Sequence, residues 1–254
     1  MTRVSEEVAP GVHVMTSRRY ATTSTVVIAR DEALVVDPCW DADELAGVPA
    51  FLDALAVHCA AGVATHLHYD HVLWHPDLGD PPRWASPWAA EQWQRDRSTL
   101  IQPLLGDIPE DLVALAGRVE ALPVTGLPWH GRDLVLHEHD AHARGHLAIE
   151  IVEGGVLLAG DMLSDVELPY PDPDESSLTT YLEGLDRLSD AVQRARVLVP
   201  GHGSPTYDPV ARLDADRRYL DAVLAGRTVD DPRLADADNQ ALHARTQEQA
   251  RATA

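Results

Sequence analysis

Between Thr65 and His71 the chain reads Thr-His-Leu-His-Tyr-Asp-His, so three imidazoles and a carboxylate fall within six residues. The run follows a small, apolar stretch at 60–64. On an extended segment residues two apart face the same side, which lets His66 and His68 present ring nitrogens to one point. Asp70 and His71, where the strand turns over, can reach a second point nearby. Nitrogen and oxygen donors packed this densely suit a divalent transition metal, most often zinc.

Further donors stand at the ends of other apolar runs. His142 and His146 precede Leu-Ala-Ile-Glu-Ile-Val, Gly155–Ala159 runs into Gly160-Asp161, and Val-Leu-Val-Pro at 197–200 runs into Gly201-His202-Gly203. Glycine beside a donor lets the backbone turn sharply at a strand end. A lone His there is ordinarily a polar surface residue, but several such placements after the dense motif argue for one shared site.

These landmarks, with Val35-Val36-Asp37 after the opening hairpin, resemble those of metallo-β-lactamase-fold hydrolases of the glyoxalase II-like and lactonase-like branch. The resemblance spans nearly the whole chain. It implies an α/β fold, a four-layer αββα sandwich of two mixed β-sheets flanked by helices. It implies two Zn²⁺ ions, with iron or manganese as alternatives. His66, His68 and His142 would hold one ion, Asp70, His71 and His202 the other, and Asp161 would bridge them. The chain departs from the family around His142, where Gly-His-Thr-Pro-Gly is replaced by Ala-His-Ala-Arg-Gly. The ligand is kept, but a threonine hydroxyl and a proline are lost, which puts the hydrogen bonding around it in question.

Two metals about 3.5–4 Å apart would share a bridging hydroxide, a nucleophile at neutral pH that needs no Ser or Cys. One ion would polarise a carbonyl and the other stabilise the oxyanion or leaving group. Three residues are the catalytic candidates. Asp70 could orient the hydroxide as well as ligate, and Asp37 could fix a ligand His by accepting its other N–H. His146 has two readings, contact with substrate or a hydrogen bond within its loop.

Composition narrows the partners. The formal net charge of −21 argues against nucleic acid, which needs a Lys/Arg footprint, and against an anionic membrane surface. A small-molecule substrate remains; the sequence is silent on oligomeric state. Cys39 and Cys59 form no CxxC pair, which fits a reducing compartment and packing roles, although Cys39 stands near Asp37 and a reactive role is open. The N-terminal residues have no hydrophobic targeting core, so a cytoplasmic location is expected.

The elements that must position these donors read as follows. Strands are expected at 12–16, 25–30 and 33–37, and a helical spacing at 42–61 is interrupted by Pro49. A short strand at 83–86 precedes a helix at 87–100 with proline in its first turn. Prolines break up 101–128. Strands resume from 133 to 161, and helices are expected at 177–195 and 209–225. One domain is expected over 1–226, followed by an acidic tail at 227–254, partly helical or frayed.

The substrate is less legible. Trp74, Trp84, Trp88, Trp93 and Trp129 either pack the core or wall an apolar pocket. No Lys or Arg lies between Arg144 and Arg187, which disfavours a glutathione thioester. Also disfavoured are a secreted β-lactamase, for want of a signal peptide, and a tRNA-processing nuclease, by charge. A flavin-linked diiron protein would carry Glu in place of His68. The expectation is hydrolysis of an ester, lactone or acyl thioester with a largely apolar acyl portion. The alternatives are an iron-dependent sulfur (persulfide) dioxygenase of the same fold and a non-catalytic binding member.

Overall fold

The computed structural model describes residues 4–253. Seven strands form the first sheet: β1 (Ser5–Ala9), β2 (Val12–Thr16), β3 (Thr23–Ala29), β4 (Glu32–Val36), β5 (His58–Val63), β6 (Arg83–Ala85) and β7 (Glu120–Ala121). They lie side by side in sequence order, antiparallel as far as β4 and parallel from β4 to β7. The second sheet contains β8 (Leu134–His139), β9 (His146–Ile151), β10 (Val156–Gly160) and β11 (Val197–Pro200), in the order β11-β10-β9-β8. Its β10–β11 pair is parallel and the others antiparallel. Both sheets are thus mixed.

The period of two along the strands builds four layers. Leu34, Val36 and Val63 of the first sheet meet Leu147, Ile149, Ile151, Val156 and Leu158 of the second in one core. The alternate residues point outward. Ala33 and Val35 pack under the helix α2 (Gly47–Ala54), which follows the short α1 (Ala42–Leu45). Ala148, Leu157 and Leu198 pack under α5 (Leu178–Arg194) and α6 (Pro209–Leu224). Helices α3 (Pro87–Leu100) and α4 (Glu110–Leu115) cover the β6–β7 end. The fold is the αββα sandwich that the resemblance implied.

Helix starts follow local chemistry. Ser86 and Ser177 accept N–H bonds from Ala89 and Thr180 at the entries to α3 and α5. The helical spacing expected across 42–61 is cut short. Helix α2 ends at Ala54, Leu55 is 46% exposed, and His58 onward pairs in parallel with β4. Pairing with a buried neighbour outweighs a local apolar period there. Strand β1, too polar to be expected, forms because β2 offers it an edge.

Residues from 227 onward carry a short 3₁₀ turn (Pro232–Ala235) and α7 (Ala237–Thr253), which packs against α5 and α6. Arg233, nearly buried, pairs with Asp216 at 2.7 Å and Asp231 at 2.8 Å. Asn239, 3% exposed, donates to the Val166 and Arg233 carbonyls and accepts from the Leu168 N–H. The segment is therefore docked on the loop after β10. No helix among the described residues is long and apolar enough to cross a membrane. Asn239→Ala leaves those buried groups without partners and is expected to cost about 1–3 kcal/mol. Urea unfolding would measure the loss, and hydrogen exchange in α7 would rise with it.

Candidate metal centre

Strand β5 ends at Val63, so the histidine motif lies on a loop and not on an extended strand. The loop takes its shape from Asp37, which follows β4 with a φ of +48°. The Asp37 carboxylate accepts the Thr65 N–H at 2.7 Å and the Thr65 hydroxyl at 2.6 Å. It also accepts the His71 Nδ1–H at 3.0 Å. One buried carboxylate therefore grips both ends of the motif, and the His71 Nε2 lone pair points the other way.

The loops after β8, β10 and β11 bring in His142, Asp161 and His202. Donor atoms of His66, His68, His142 and Asp161 lie within 4.8 Å of one another, as do those of Asp70, His71 and His202. Asp161 Oδ2 stands 3.4 Å from His66 Nε2, 3.5 Å from His142 Nε2 and 3.3 Å from His202 Nε2. Its Oδ1 is 3.2 Å from His71 Nε2. The carboxylate therefore faces both groups. All seven residues expected as ligands converge.

The donors fit metal ions better than one another. His142 Nε2 and His68 Nδ1 face each other at 3.0 Å, and His71 Nε2 faces His202 Nε2 at 3.4 Å. Buried His66 Nε2 and Asp161 Oδ1 make no hydrogen bond among the described residues. Buried polar atoms left so are rare unless a ligand satisfies them. Burial lowers His66, and it holds His142 down at about 4. Burial also opposes charge on His71 and His202, but Asp161 with its neighbouring carboxylates raises both. Burial would likewise raise Asp70 and Asp161, yet the adjacent His71 and His202 hold both carboxylates below their usual range. His66 and His142 are thus held neutral, as ligands must be, while the carboxylates around His71 and His202 favour positive charge there, which a bound cation would supply in place of the protons.

A family model described as the Metallo-beta-lactamase superfamily matches residues 18–224. The chain belongs to the metallo-beta-lactamase superfamily. Its fold is similar to that of a metallo-beta-lactamase family protein from Thermus thermophilus, with a TM-score of 0.68 and 22% identity over 87% of this chain and 82% of that one. A metallo-beta-lactamase from Erythrobacter litoralis is also similar, with a TM-score of 0.61 and 19% identity over 84% and 94% of the two chains. In sequence, the chain is 28% identical over 180 residues to a protein of Caulobacter sp. (strain K31) named cysteine–tRNA ligase. That match covers 58% of this chain and 37% of the other protein.

Within this superfamily site the catalytic candidates separate. Asp70 is a donor of the second group, and the Thr22 hydroxyl donates to it at 3.3 Å. Asp37, 3% exposed, bonds the loop at Thr65 and His71. His146 is fully buried, and its Nε2 accepts the Asp161 N–H at 3.1 Å. The bond reaches the loop after β10 and not its own loop, so His146 holds the Asp161 backbone in place. Gly160 makes room for it, since a Cβ there would lie 2.4 Å from the His146 ring. Cys39 is buried with its Sγ against the Ser24 hydroxyl and the Thr22 carbonyl, and burial pushes the Cys59 thiol up to about 12. Neither has a reactive thiol's setting.

Two carboxylates that no sequence pattern marked also reach the cluster. Glu167 Oε1 lies 3.6 Å from His202 Nδ1, and Asp172 Oδ2 lies 3.4 Å from His68 Nε2. Both sit on the irregular loop after β10, where no periodicity announces them. Of the tryptophans, Trp74, Trp84, Trp93 and Trp129 are core residues. Trp88 is partly exposed, lies against Gly145 and has the Arg144 guanidinium over its ring at 5.1 Å.

His139 stacks on His146 at 4.7 Å, and its Nδ1 accepts the Ala141 N–H. Burial, aided by Arg187 and nearby histidines, lowers its pKa from 6.5 to about 3. The unfolded chain therefore binds a proton that the fold refuses. The stabilisation is complete above the unfolded pKa and is lost progressively as pH falls toward the folded value. His139→Asn keeps an acceptor and removes this penalty. With chelator present in both samples, its melting temperature relative to wild type is expected to rise as pH drops from about 7 to about 4.5.

Proposed function

We propose that the chain is a dinuclear metal-dependent hydrolase, nearest in activity to the glyoxalase II-like and lactonase-like branch. The observation that carries this reading is Asp161, whose two oxygens face two separate donor groups, one of His66, His68 and His142 and one of Asp70, His71 and His202. The donor set, five imidazoles and two carboxylates, favours zinc. Bound divalent ions would supply Lewis acidity and a hydroxide nucleophile at neutral pH.

The chain's own residues supply position. Asp37 and the Tyr20 carbonyl, which accepts from His202 Nδ1 at 2.9 Å, point the ring lone pairs of His71 and His202 inward. Asp70, steadied by Thr22, orients the attacking water. The cluster opens where His68 and Asp172 keep about a third of their side chains exposed, at 32% and 28%. Tyr69, between His68 and Asp70, and the exposed Tyr20, whose carbonyl meets His202, pack on the buried Trp40 with ring centroids 5.4 and 6.2 Å apart. Aromatic surface so close to the donors suits an ester, lactone or acyl thioester with a largely apolar acyl portion. A tRNA substrate conflicts with the net charge of −21.

Elemental mass spectrometry on protein made without added metal is expected to find about two zinc ions per chain. His68→Ala or Asp161→Ala should lower both metal content and turnover of a lactone and thioester panel by about 10-fold or more. Normal turnover in either variant would refute the ligand assignment. About one iron per chain with no hydrolysis would replace this reading by an iron-dependent sulfur dioxygenase, identified by oxygen uptake with thiol persulfides.

A further inference from the structure

The departure from the family pattern at His142 removes the threonine and proline that follow this ligand, yet the outward-facing N–H groups of both His68 and His142 have partners. His68 turns Nδ1 toward His142 and the cluster, leaving Nε2 outward, and His142 turns Nε2 inward, leaving Nδ1 outward. The outward His142 Nδ1–H donates to the Tyr170 carbonyl at 2.9 Å. The outward His68 Nε2–H points to Asp172 Oδ2 at 3.4 Å. Both acceptors come from one pentapeptide, Pro169-Tyr170-Pro171-Asp172-Pro173.

We infer that Asp172 is a positioning residue for the first metal site, its carboxylate fixing the tautomer and ring orientation of His68 while the same proline-framed loop fixes His142. This rests on the metal-centre reading above. A neutral imidazole has one N–H and one lone pair, so catching the N–H outside delivers the lone pair inside. Alternating prolines restrict φ along the loop, so little freedom is lost in holding both acceptors.

The loop is tied down on every side. Asp172 N–H donates to the His142 carbonyl at 2.7 Å, so loop and ligand hold each other. Asp172 Oδ1 accepts the Asp174 N–H at 2.9 Å, and the Asp172 carbonyl accepts from Glu175 and Ser176. Ser176 donates back to the Asp140 and Ala141 carbonyls, and Glu175 accepts from Gln92 of α3 and from the Arg144 N–H. Oδ1 is thus committed to the turn and Oδ2 to His68. Asp172 is 28% exposed, so substitution there leaves the core untouched.

The test is zinc titration of the full chain against a chromophoric chelator, with unfolding of the metal-free protein alongside. Asp172→Asn keeps the turn through its carbonyl but turns an NH₂ group toward the His68 N–H. Asp172→Ala removes both contacts. Both variants are expected to weaken one of two zinc sites by about 10–100-fold and leave the other unchanged. The metal-free melting temperature of Asp172→Asn should match wild type. Zinc affinities within about two-fold of wild type in Asp172→Ala would overturn the inference. Wild-type affinity in Asp172→Asn alone would overturn it too, assigning the effect to the turn. A wild-type chain that binds no zinc would instead refute the metal centre and this inference with it.

Discussion

The Asp37 carboxylate holds the Thr65 N–H, the Thr65 hydroxyl and the His71 ring N–H at 2.6–3.0 Å, and four of the seven donors lie on the loop between those anchors. Its own backbone is pinned by the Asp37 N–H bond to the Val63 carbonyl, so β4, β5 and the motif meet at one residue. A buried carboxylate that accepts several hydrogen bonds has a narrow geometry. The left-handed backbone at Asp37 has a steric cost, and the three bonds made by its side chain offset it. Without that anchor, His66 to His71 would be a flexible polar loop losing conformational entropy each time a ligand bound.

The other three donors depend on how the two sheets join. Thr23 donates its N–H to the Gly201 carbonyl and its hydroxyl to the Pro200 carbonyl, at 2.7 and 2.6 Å. These bonds stitch β3 of one sheet to the end of β11 in the other, next to His202. A Cβ at Gly201 would lie 1.9 Å from Asp161 Oδ1, so glycine is the residue that lets the two strand ends close around the carboxylate. The site thus sits where both sheets end together. The ends of β10 and β11 place Asp161 and His202 within two residues, whereas the 66–71 donors ride a loop that Asp37 holds.

Legibility in the sequence followed the same division. The clustered donors were readable because they combine dense spacing in 66–71 with repeated donor placement at strand ends, and the two-sheet architecture followed from the resemblance that those landmarks carry. The role of Asp37 was also foreseeable, since a carboxylate at a strand end is suited to orient a ligand. His146 was ambiguous from sequence because the spacing His142-x-x-x-His146 does not say which way a loop residue faces. Only the β8–β9 pairing, which places His146 opposite His139, buries it. The helix read into 42–61 holds as far as Ala54 and ran too long for a related reason, an apolar period being unable to reveal which neighbour pairs with His58–Val63. Glu167 and Asp172 were invisible because they belong to no periodic element.

That irregular loop links the two donor groups. At one end, Asn239 and Arg233 from the C-terminal segment bond the backbone of Ser164, Val166, Glu167 and Leu168, which places Glu167 beside His202. At the other, Gln92 of α3 holds Glu175, and the prolines between carry Tyr170 and Asp172 to His142 and His68. One segment therefore provides outer contacts to histidines of both donor groups, and two elements far apart in the chain fix its ends. Because outer hydrogen bonds set the basicity and direction of a ligand imidazole, changes in α7 or at Gln92 can reach the metal centre without touching it. The histidine and aspartate motifs define which atoms meet, whereas this loop and its anchors decide how firmly each ring is held.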